Sequence, residues 1–309
     1  MPDGRSSRKP RVLGVLSRVN PRAQIVDSNY RERRVAEIRP PGTHGNGCEQ
    51  SRQGVTDLMQ KRTTRRAALA VVLLGAALVA GPLGQGTAAT ASSAPLGDVG
   101  NFKQTFREQF STAAGAKGAF AKKYANSWQP YPDGTGGMYY SGSQISSHNG
   151  YMDVKLDGKH GAAGTFGTPT GAWGHKGGKF IVRAKATGGA GNGAAFMLWP
   201  SSDRWADGEI DYPEANFDQQ PMLHHHSMIA GQEANATSLS TGVSWRSWHT
   251  YSIEWIPGKS VRYRLDGKVI KTVTTHVPKT AHRYMFQVGD WGDAGHLYID
   301  WVSTYTYKG

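Results

Sequence analysis

The chain is short of cysteine and of long apolar segments, and each shortage excludes a class of protein. Cys48 is the only cysteine among 309 residues, so a mature chain without residue 48 has no disulfide, no thiolate metal site and no cysteine nucleophile. The longest apolar run, residues 67–83, is 17 residues long and is interrupted by Gly75, which puts it at the short limit for crossing a bilayer. Stretches with the 3.6-residue period of a helix are scarce after residue 100, which argues against an all-helical fold.

Residues 59–94 have the layout of a secretory signal. A basic start precedes the apolar run, and a stretch of small residues follows it and ends in an A-x-A site at residues 89–91. Arg65 and Arg66 are similar to a twin-arginine export signal but are also ordinary in Sec signals, so both routes stay open. A transmembrane anchor is the competing interpretation of residues 67–83. We predict that this segment is removed and that the protein is secreted and extracellular.

Residues 1–58 precede this signal, although a signal peptide works from the N-terminus. They are rich in Arg, Pro, Gly and Asn and show neither helical nor strand periodicity. They are either an upstream extension from a mis-assigned start codon or a disordered basic leader. Residues 95–309 are then a single mature domain, and its 215 residues are enough to bury a hydrophobic core.

The basic charge of the chain is concentrated before the mature domain. The formal net charge is +13, but residues 1–94 hold 15 of the 36 Lys and Arg and 6 of the 23 Asp and Glu. Residues 95–309 keep 21 basic and 17 acidic residues, a net charge of +4. Such a balance does not call for a polyanionic partner. We therefore expect a monomer that binds no nucleic acid and, once the signal is removed, no membrane.

Short alternating runs of apolar and polar residues recur between turn residues in the mature region. The clearest pair flanks Asp266 and Gly267, a dipeptide typical of β-hairpin turns. Regular spacing of this kind predicts an all-β sandwich or barrel. Residues 102–124 alone have a composition that predicts some helix. The predicted strands are residues 151–156, 179–184, 194–198, 250–255, 261–265 and 296–305.

Three carboxylates fall within six residues: Glu209, Asp211 and Glu214. Alternate residues of a strand share a face, so strict alternation would place Glu214 on the face opposite the other two. One extra residue at positions 212–213, forming a β-bulge, would return Glu214 to their face, and proline within a strand is tolerated mainly at bulges and edges. A solvated acidic strand is the plain alternative. Glycoside hydrolysis requires such acids, because one carboxylate attacks the anomeric carbon while a second acid protonates the leaving oxygen.

At these residues the sequence resembles glycoside hydrolase family 16, whose signature is E-x-D-x-E or the bulged E-x-D-x-x-E. Glu209, Asp211 and Glu214 match the bulged form. The resemblance extends over residues 105–307. Its other carriers are the paired strands before the motif (178–183 and 194–200), a W-H-x-Y-x-x-E-W segment (248–255) and the last strand (297–302).

The resemblance implies a fold, a mechanism and a class of substrate. The fold is a concanavalin A-like β-jelly-roll sandwich of two curved antiparallel sheets with a concave cleft. The mechanism retains the anomeric configuration, with Glu209 as nucleophile, Glu214 as general acid/base and Asp211 tuning both. In the family the bulged motif is typical of enzymes that act on β-1,3-glucans, agars, carrageenans and some mixed-linkage glucans. We predict an endo-acting β-1,3- or β-1,3-1,4-glucanase; a galactan hydrolase of agar or carrageenan type, a transglycosylase and a non-catalytic glycan-binding protein are the alternatives.

Tryptophans near the motif are candidate substrate contacts, because sugar rings stack on aromatic side chains. Trp205 precedes Glu209 by four residues and matches a tryptophan that is common in the family. Trp199 lies close to it in the sequence. Trp291, in a polar loop, either lines the cleft or covers the core.

Four polar residues complete the set of candidates. His224 and His226 share one face of a strand, and two imidazoles do not complete a metal site, so we predict that catalysis needs no metal or other cofactor. Gln287 occupies a position where many relatives have Asn, and it either contacts sugar or is a satisfied buried amide. By the same resemblance, Asp300 matches the last-strand aspartate that ligates a structural Ca²⁺ in many relatives, and oxygen ligands suit that ion.

Overall fold

The computed structural model describes residues 93–309, which form two antiparallel β-sheets with two short helices, α1 (Ala119–Lys123) and α2 (Ser141–Gln144). The predicted all-β fold is therefore confirmed. The strands are β1 (Phe102–Glu108), β2 (Trp128–Pro130), β3 (Ile145–His148), β4 (Tyr151–Asp157), β5 (Ala162–Phe166), β6 (Gly178–Thr187), β7 (Asn192–Pro200), β8 (Ile210–Asn216), β9 (Met222–His226), β10 (Ala236–Ser240), β11 (His249–Ile256), β12 (Ser260–Leu265), β13 (Lys268–Val273), β14 (His282–Asp290) and β15 (Ala294–Tyr307).

The two sheets stack as the layers of a jelly-roll sandwich. The eight-stranded sheet has the order β13-β12-β11-β6-β15-β4-β3, with β1 also paired to β15. The seven-stranded sheet has the order β10-β9-β8-β7-β14-β5-β2. Neighbouring strands in these orders are often far apart in sequence, so the sandwich depends on long-range pairing. β8, which follows Glu209 directly, lies inside the seven-stranded sheet between β7 and β9.

One apolar core fills the space between the sheets. Alternate residues of β6 and β7, such as Val182 and Phe196, point into it and are fully buried. Trp255 belongs to this core, and Trp301 is 3% exposed in a smaller cluster on the other face of the eight-stranded sheet. Both tryptophans lie within strands, Trp255 in β11 and Trp301 in β15.

The folded part begins before the predicted domain boundary at residue 95. Ala94 is buried in the same small cluster as Trp301 and Tyr305. Its backbone N–H donates to the side chain of Gln109, and its carbonyl accepts from Arg107. Ala94 is thus part of the fold, although the predicted boundary assigns it to the signal. The extension 1–58 and nearly all of the signal segment lie outside the described residues.

The structure confirms the predicted hairpin and its Asp-Gly turn. β12 and β13 are joined by Asp266 and Gly267, which have φ angles of 47° and 81°. Positive φ at both central residues defines the turn whose twist matches that of two antiparallel strands. The sequence determines this element locally, because Asp and Gly adopt that conformation at low cost.

Residues 102–124 contain some helix, as predicted, but they begin with a strand. The segment Phe102–Glu108 is strand β1, which pairs along the end of β15 with Phe102 opposite Tyr307. Only Ala119–Lys123 is helical. Pairing with β15 satisfies backbone groups at a sheet edge, a long-range gain that overrides local composition.

Within residues 93–309, no helix is both long and apolar enough to span a membrane. The apolar run 67–83, on which the anchor interpretation depends, is outside this region.

Candidate active site

A β-bulge interrupts β8 between Asp211 and Glu214. Across the pairing with β7, Glu214 lies opposite Ala195 and Asp211 opposite Met197, so three steps on β8 match two steps on β7. The pairing with β9 shifts at the same place. The bulge predicted from the motif spacing at residues 212–213 is therefore present.

The bulge places the three acids on the face of the seven-stranded sheet that points away from the core, here called the open face. Ala195 and Met197 belong to an apolar cluster on that face, and residues directly opposite on antiparallel strands point the same way. Asp211 and Glu214 are thus side by side on the open face. Ile210 points into the core instead.

The acid cluster is buried and contains a histidine. Glu209, Asp211 and Glu214 are 2%, 0% and 3% exposed. Ligand atoms of Glu209, Asp211 and His226 all lie within 4.8 Å of one another. The His226 Nε2 atom is 3.2 Å from the Asp211 Oδ2 atom, and the His226 backbone N–H donates to the Glu209 carbonyl. Carboxylates are almost never this buried without partners, so neighbouring groups must stabilise these three side chains.

The His225 side chain points to the other side of the sheet, toward the core, where it makes hydrogen bonds. Its Nδ1 atom is 2.8 Å from the Tyr263 hydroxyl, and its Nε2–H donates to the carbonyls of Thr275 and His276. Burial lowers the pKa of His225 to about 4, so the ring is neutral. Burial, with the nearby charge of Asp211, also raises the pKa of Tyr263. The run of three histidines thus divides between two faces, as strand alternation predicts.

The two tryptophans near the motif have different surroundings. Trp205 is half-buried in a 3₁₀ turn, Trp205–Asp207, and its ring centroid is 5.8 Å from that of His226. Trp199 lies on the open face but is only 5% exposed, with its Nε1–H donating to Asp203 at 3.1 Å. Trp205 therefore has ring surface available to a ligand, whereas Trp199 is largely covered by its neighbours on the open face.

Trp291 lies on the open face and does not cover the core. A Cβ atom added to Gly289 would collide with its indole, and one added to Gly193 would be 3.2 Å from it. Its Nε1–H donates to the Ala190 carbonyl at 2.9 Å. Since Gly193 lies opposite both Gly289 and Asn216, the indole rests on two neighbouring strands one step beyond Glu214.

Gln287 and His224 also reach the open face. Gln287 is opposite Ala195, which is itself opposite Glu214, so all three lie in one row across the sheet. The Gln287 Oε1 atom accepts from the Tyr139 hydroxyl at 3.3 Å. His224 is opposite Asp211, and its Nδ1 atom is 2.7 Å from the Ser238 hydroxyl. The structure therefore brings every predicted cleft residue to one face.

Two residues of this surface were missed from the sequence. Arg283 lies opposite Trp199, is 5% exposed and donates to Asp203 at 2.8 Å. Its guanidinium is 5.2 Å from the ring centroid of Trp173, which is 40% exposed on the loop between β5 and β6. Trp173 extends the aromatic surface past Trp199. The signal was a tryptophan flanked by glycines in a loop, but only the fold places that loop beside β14.

A cavity of about 350 Å³ opens beside the acids. Glu214, Asn216, Met222, His224 and His226 line it together with residues of β10. Its volume is in the range of small-ligand sites, about 300–1,000 Å³. The open face thus combines acids, aromatic rings and polar side chains around a concave site.

Two positions in the described residues bear on metal binding. In residues 93–309, Glu209, Asp211 and His226 are the one group of three or more potential side-chain ligands, and one imidazole with two carboxylates is not among the usual zinc sets. The Asp300 carboxylate accepts a hydrogen bond from Arg183 at 2.9 Å, so a guanidinium already supplies the positive charge there. A structural calcium at Asp300 stays a prediction from resemblance.

Comparison with known proteins is consistent with this geometry. The model of glycosyl hydrolases family 16 matches residues 136–302, more than half of the chain. No curated protein matches the chain.

Solved structures show the same fold. The laminarinase from Rhodothermus marinus is 16% identical, has a TM-score of 0.52, and the match covers 67% of this chain and 98% of that one. The laminarinase catalytic domain from Thermotoga maritima MSB8 is 16% identical with a TM-score of 0.54, covering 67% and 99%. SCLam, a non-specific endo-beta-1,3(4)-glucanase, is 16% identical with a TM-score of 0.53, covering 69% and 94%.

Proposed function

Since the chain belongs to family 16 of the glycosyl hydrolases and is a glycosidase that acts on O-glycosyl bonds, we propose that it cleaves internal β-1,3 or mixed β-1,3-1,4 linkages of a glucan. The observation that carries the proposal is the bulge in β8, which puts Glu209, Asp211 and Glu214 on one buried, concave face. The neighbouring structures named as laminarinases and as an endo-beta-1,3(4)-glucanase support the choice of glucan.

The proposed mechanism assigns one role to each acid. Glu209 is ionised and attacks the anomeric carbon, forming a glycosyl-enzyme with release of the leaving group. Glu214 donates a proton to the leaving oxygen and then removes one from the water that hydrolyses the intermediate. Asp211 lies between them in the sequence and tunes both acids. Because one acid is ionised and the other protonated, kcat/KM follows a bell-shaped dependence on pH.

The aromatic and polar residues of the open face hold the sugar chain. Trp205 and Trp291 offer ring faces on either side of the acids, and sugars stack on such faces. Gln287, in the row of Glu214, reaches sugar hydroxyls. The ring positions on both sides of the acids fit a chain that continues in both directions, which supports endo action.

Release of reducing ends from purified polysaccharides tests the proposal. We expect turnover on laminarin or barley β-glucan, and a fall in kcat of more than about 10⁴-fold in Glu209→Gln, the scale on which loss of a covalent nucleophile acts. Asp218→Asn, an exposed carboxylate just past β8, is the matched control and keeps activity. A Glu209→Gln enzyme with wild-type turnover would overturn the assignment.

The same assay separates the alternatives. Release from agarose or carrageenan alone would assign a galactan hydrolase. Products longer than the substrate would identify a transglycosylase. Binding to a glucan without turnover in the wild-type protein would leave a glycan-binding protein.

We further propose that the protein is exported and acts as a monomer. Ala94 is buried in the fold, so a signal cut must fall before it, and a cut after Ala91 at the A-x-A site leaves the folded part intact. We expect secreted protein to begin at Ser92 by N-terminal sequencing. A start after Ala94 would contradict this boundary.

A further inference from the structure

Both ring nitrogens of His226 contact oxygen atoms that accept hydrogen bonds. The Nδ1 atom is 2.7 Å from the backbone carbonyl of Glu233, and the Nε2 atom is 3.2 Å from Asp211 Oδ2. The side chains of His226 and Asp211 are 4% and 1% exposed, so water contributes little to this arrangement. The geometry therefore constrains the protons of the ring.

A neutral imidazole carries one proton on its ring nitrogens, and one proton cannot serve both of the oxygen atoms that face this ring. The Glu233 carbonyl can only accept, so Nδ1 must carry a proton. A neutral ring would then turn the lone pair of Nε2 toward a lone pair of the Asp211 carboxylate, which is repulsive at this distance. One more proton between Nε2 and Oδ2 turns this contact into an attractive one. An imidazolium facing a carboxylate supplies this proton, and charge-assisted bonds of this kind are the strong ones.

The charged groups around His226 determine what the second ring proton would do. Glu209 has a carboxylate oxygen within 4.8 Å of both His226 and Asp211, and the next acid on the open face is Glu214. On the strand of His226 itself, His224 is engaged by Ser238. Ala236 faces His226 on β10, Met197 faces Asp211 on β7, and both are uncharged.

We propose that His226 is a positioning residue that stays protonated beside Asp211, so that the pair is neutral where it faces Glu209. This inference rests on the proposed role of Glu209 as nucleophile. Without the proton, Asp211 and Glu209 would be two buried anions with oxygen atoms within 4.8 Å of each other, and each would make the other harder to ionise. His226 therefore acts through Asp211 and does not need to touch the substrate.

Nitrogen-15 NMR of histidine-labelled protein tests the proton directly and needs no substrate. The His226 signals are assigned by their loss in His226→Asn. We expect both ring nitrogens of His226 to be protonated at pH 7 in the wild-type protein. In Asp211→Asn the partner charge is gone, and the ring becomes neutral with its proton on Nδ1. A neutral His226 ring in the wild type, or a charged ring in Asp211→Asn, would overturn the proposal.

The pH profile of kcat/KM tests the role. His226→Asn keeps an N–H at the position of Nδ1 but removes the charge that faces Asp211. We expect the acid limb of the profile to move up by at least one pH unit, because Glu209 then ionises beside a second anion. His249→Asn breaks a similar contact with Asp266, 2.7 Å long, in the eight-stranded sheet, and leaves the limb in place. An unmoved acid limb in His226→Asn would refute the role, while failure of the proposed function would appear separately, as activity retained in Glu209→Gln.

Discussion

Trp291 and Gly289 illustrate how single residues shape the open face. The indole can lie flat on the sheet only because position 289 has no side chain. Gly193, on the neighbouring strand, provides the second half of the same platform. Glycine usually weakens a strand, but Gly289 is needed here because the Trp291 ring approaches its backbone closely.

Substitution of Gly289 by alanine tests this account. The added methyl group forces the indole of Trp291 off the sheet, so we expect KM for long glucan oligosaccharides to rise about 3- to 10-fold, the effect of about 1 kcal/mol of lost stacking. Trp291→Ala should give a similar rise. The double variant should be no worse than either single variant, because both act on one contact. Additive losses, or an unchanged KM in Gly289→Ala, would refute the platform.

At the scale of elements, β8 carries the chemistry because it is irregular. Its first half pairs in one register and its second half in another. Tyr212, inside the bulge, points into the core, where its ring packs against Tyr251 and Tyr263. The extra residue therefore changes which face Glu214 occupies while the core stays filled.

The β12–β13 hairpin offers a stability test at the same scale. Gly267 has a φ of 81° and nothing within 4 Å of an added Cβ, so Gly267→Ala costs only backbone strain, about 1 kcal/mol. Gly115 has equal space but lacks a positive φ, and Gly115→Ala should be neutral or slightly stabilising. Urea unfolding of both variants measures the difference. Equal stability in the two variants would contradict the turn assignment.

At the scale of the whole molecule, the sandwich buries histidines that titrate in solution. Burial lowers the pKa of both His175 and His225 to about 4, whereas a histidine in the unfolded chain titrates near pH 6.5. Below pH 6.5 the unfolded chain therefore binds protons that the folded chain does not. Asp290 and Asp300, whose pKa burial raises, act in the opposite direction.

The folded state should consequently lose stability as the pH falls. Each of the two histidines contributes a loss of roughly 2 kcal/mol between pH 7 and pH 5, and the loss levels off near pH 4, where the folded protein also takes up the protons. Urea unfolding across this range measures it. In His225→Gln the dependence on pH should be less steep. An equally steep dependence in that variant would show that other groups are responsible.

Local patterns predicted many elements correctly, and the misses share one cause. Period-2 alternation identified β4, β6, β7, β11, β12 and β15, because one face of each strand contributes side chains to the core. Residues 102–124 were predicted to contain some helix, and Ala119–Lys123 is helical, but the strand at 102–108 was not foreseen because its partner, β15, lies about 200 residues away. Trp173 was overlooked for the same reason, since its loop meets β14 only in the folded chain.

The sequence by itself determined the all-β class, the hairpin turn and the three acids with the bulge between them. These features depend on spacing and on the conformations that individual residues prefer, which are local properties. The tertiary structure alone decided which tryptophans are open: Trp199 and Trp205 are six residues apart in sequence, yet one is buried and the other available. It also decided that His226 meets Asp211 while His225 meets Tyr263. Burial and contact depend on which strands become neighbours, and that is set by the packing of two sheets whose partners lie far apart along the chain.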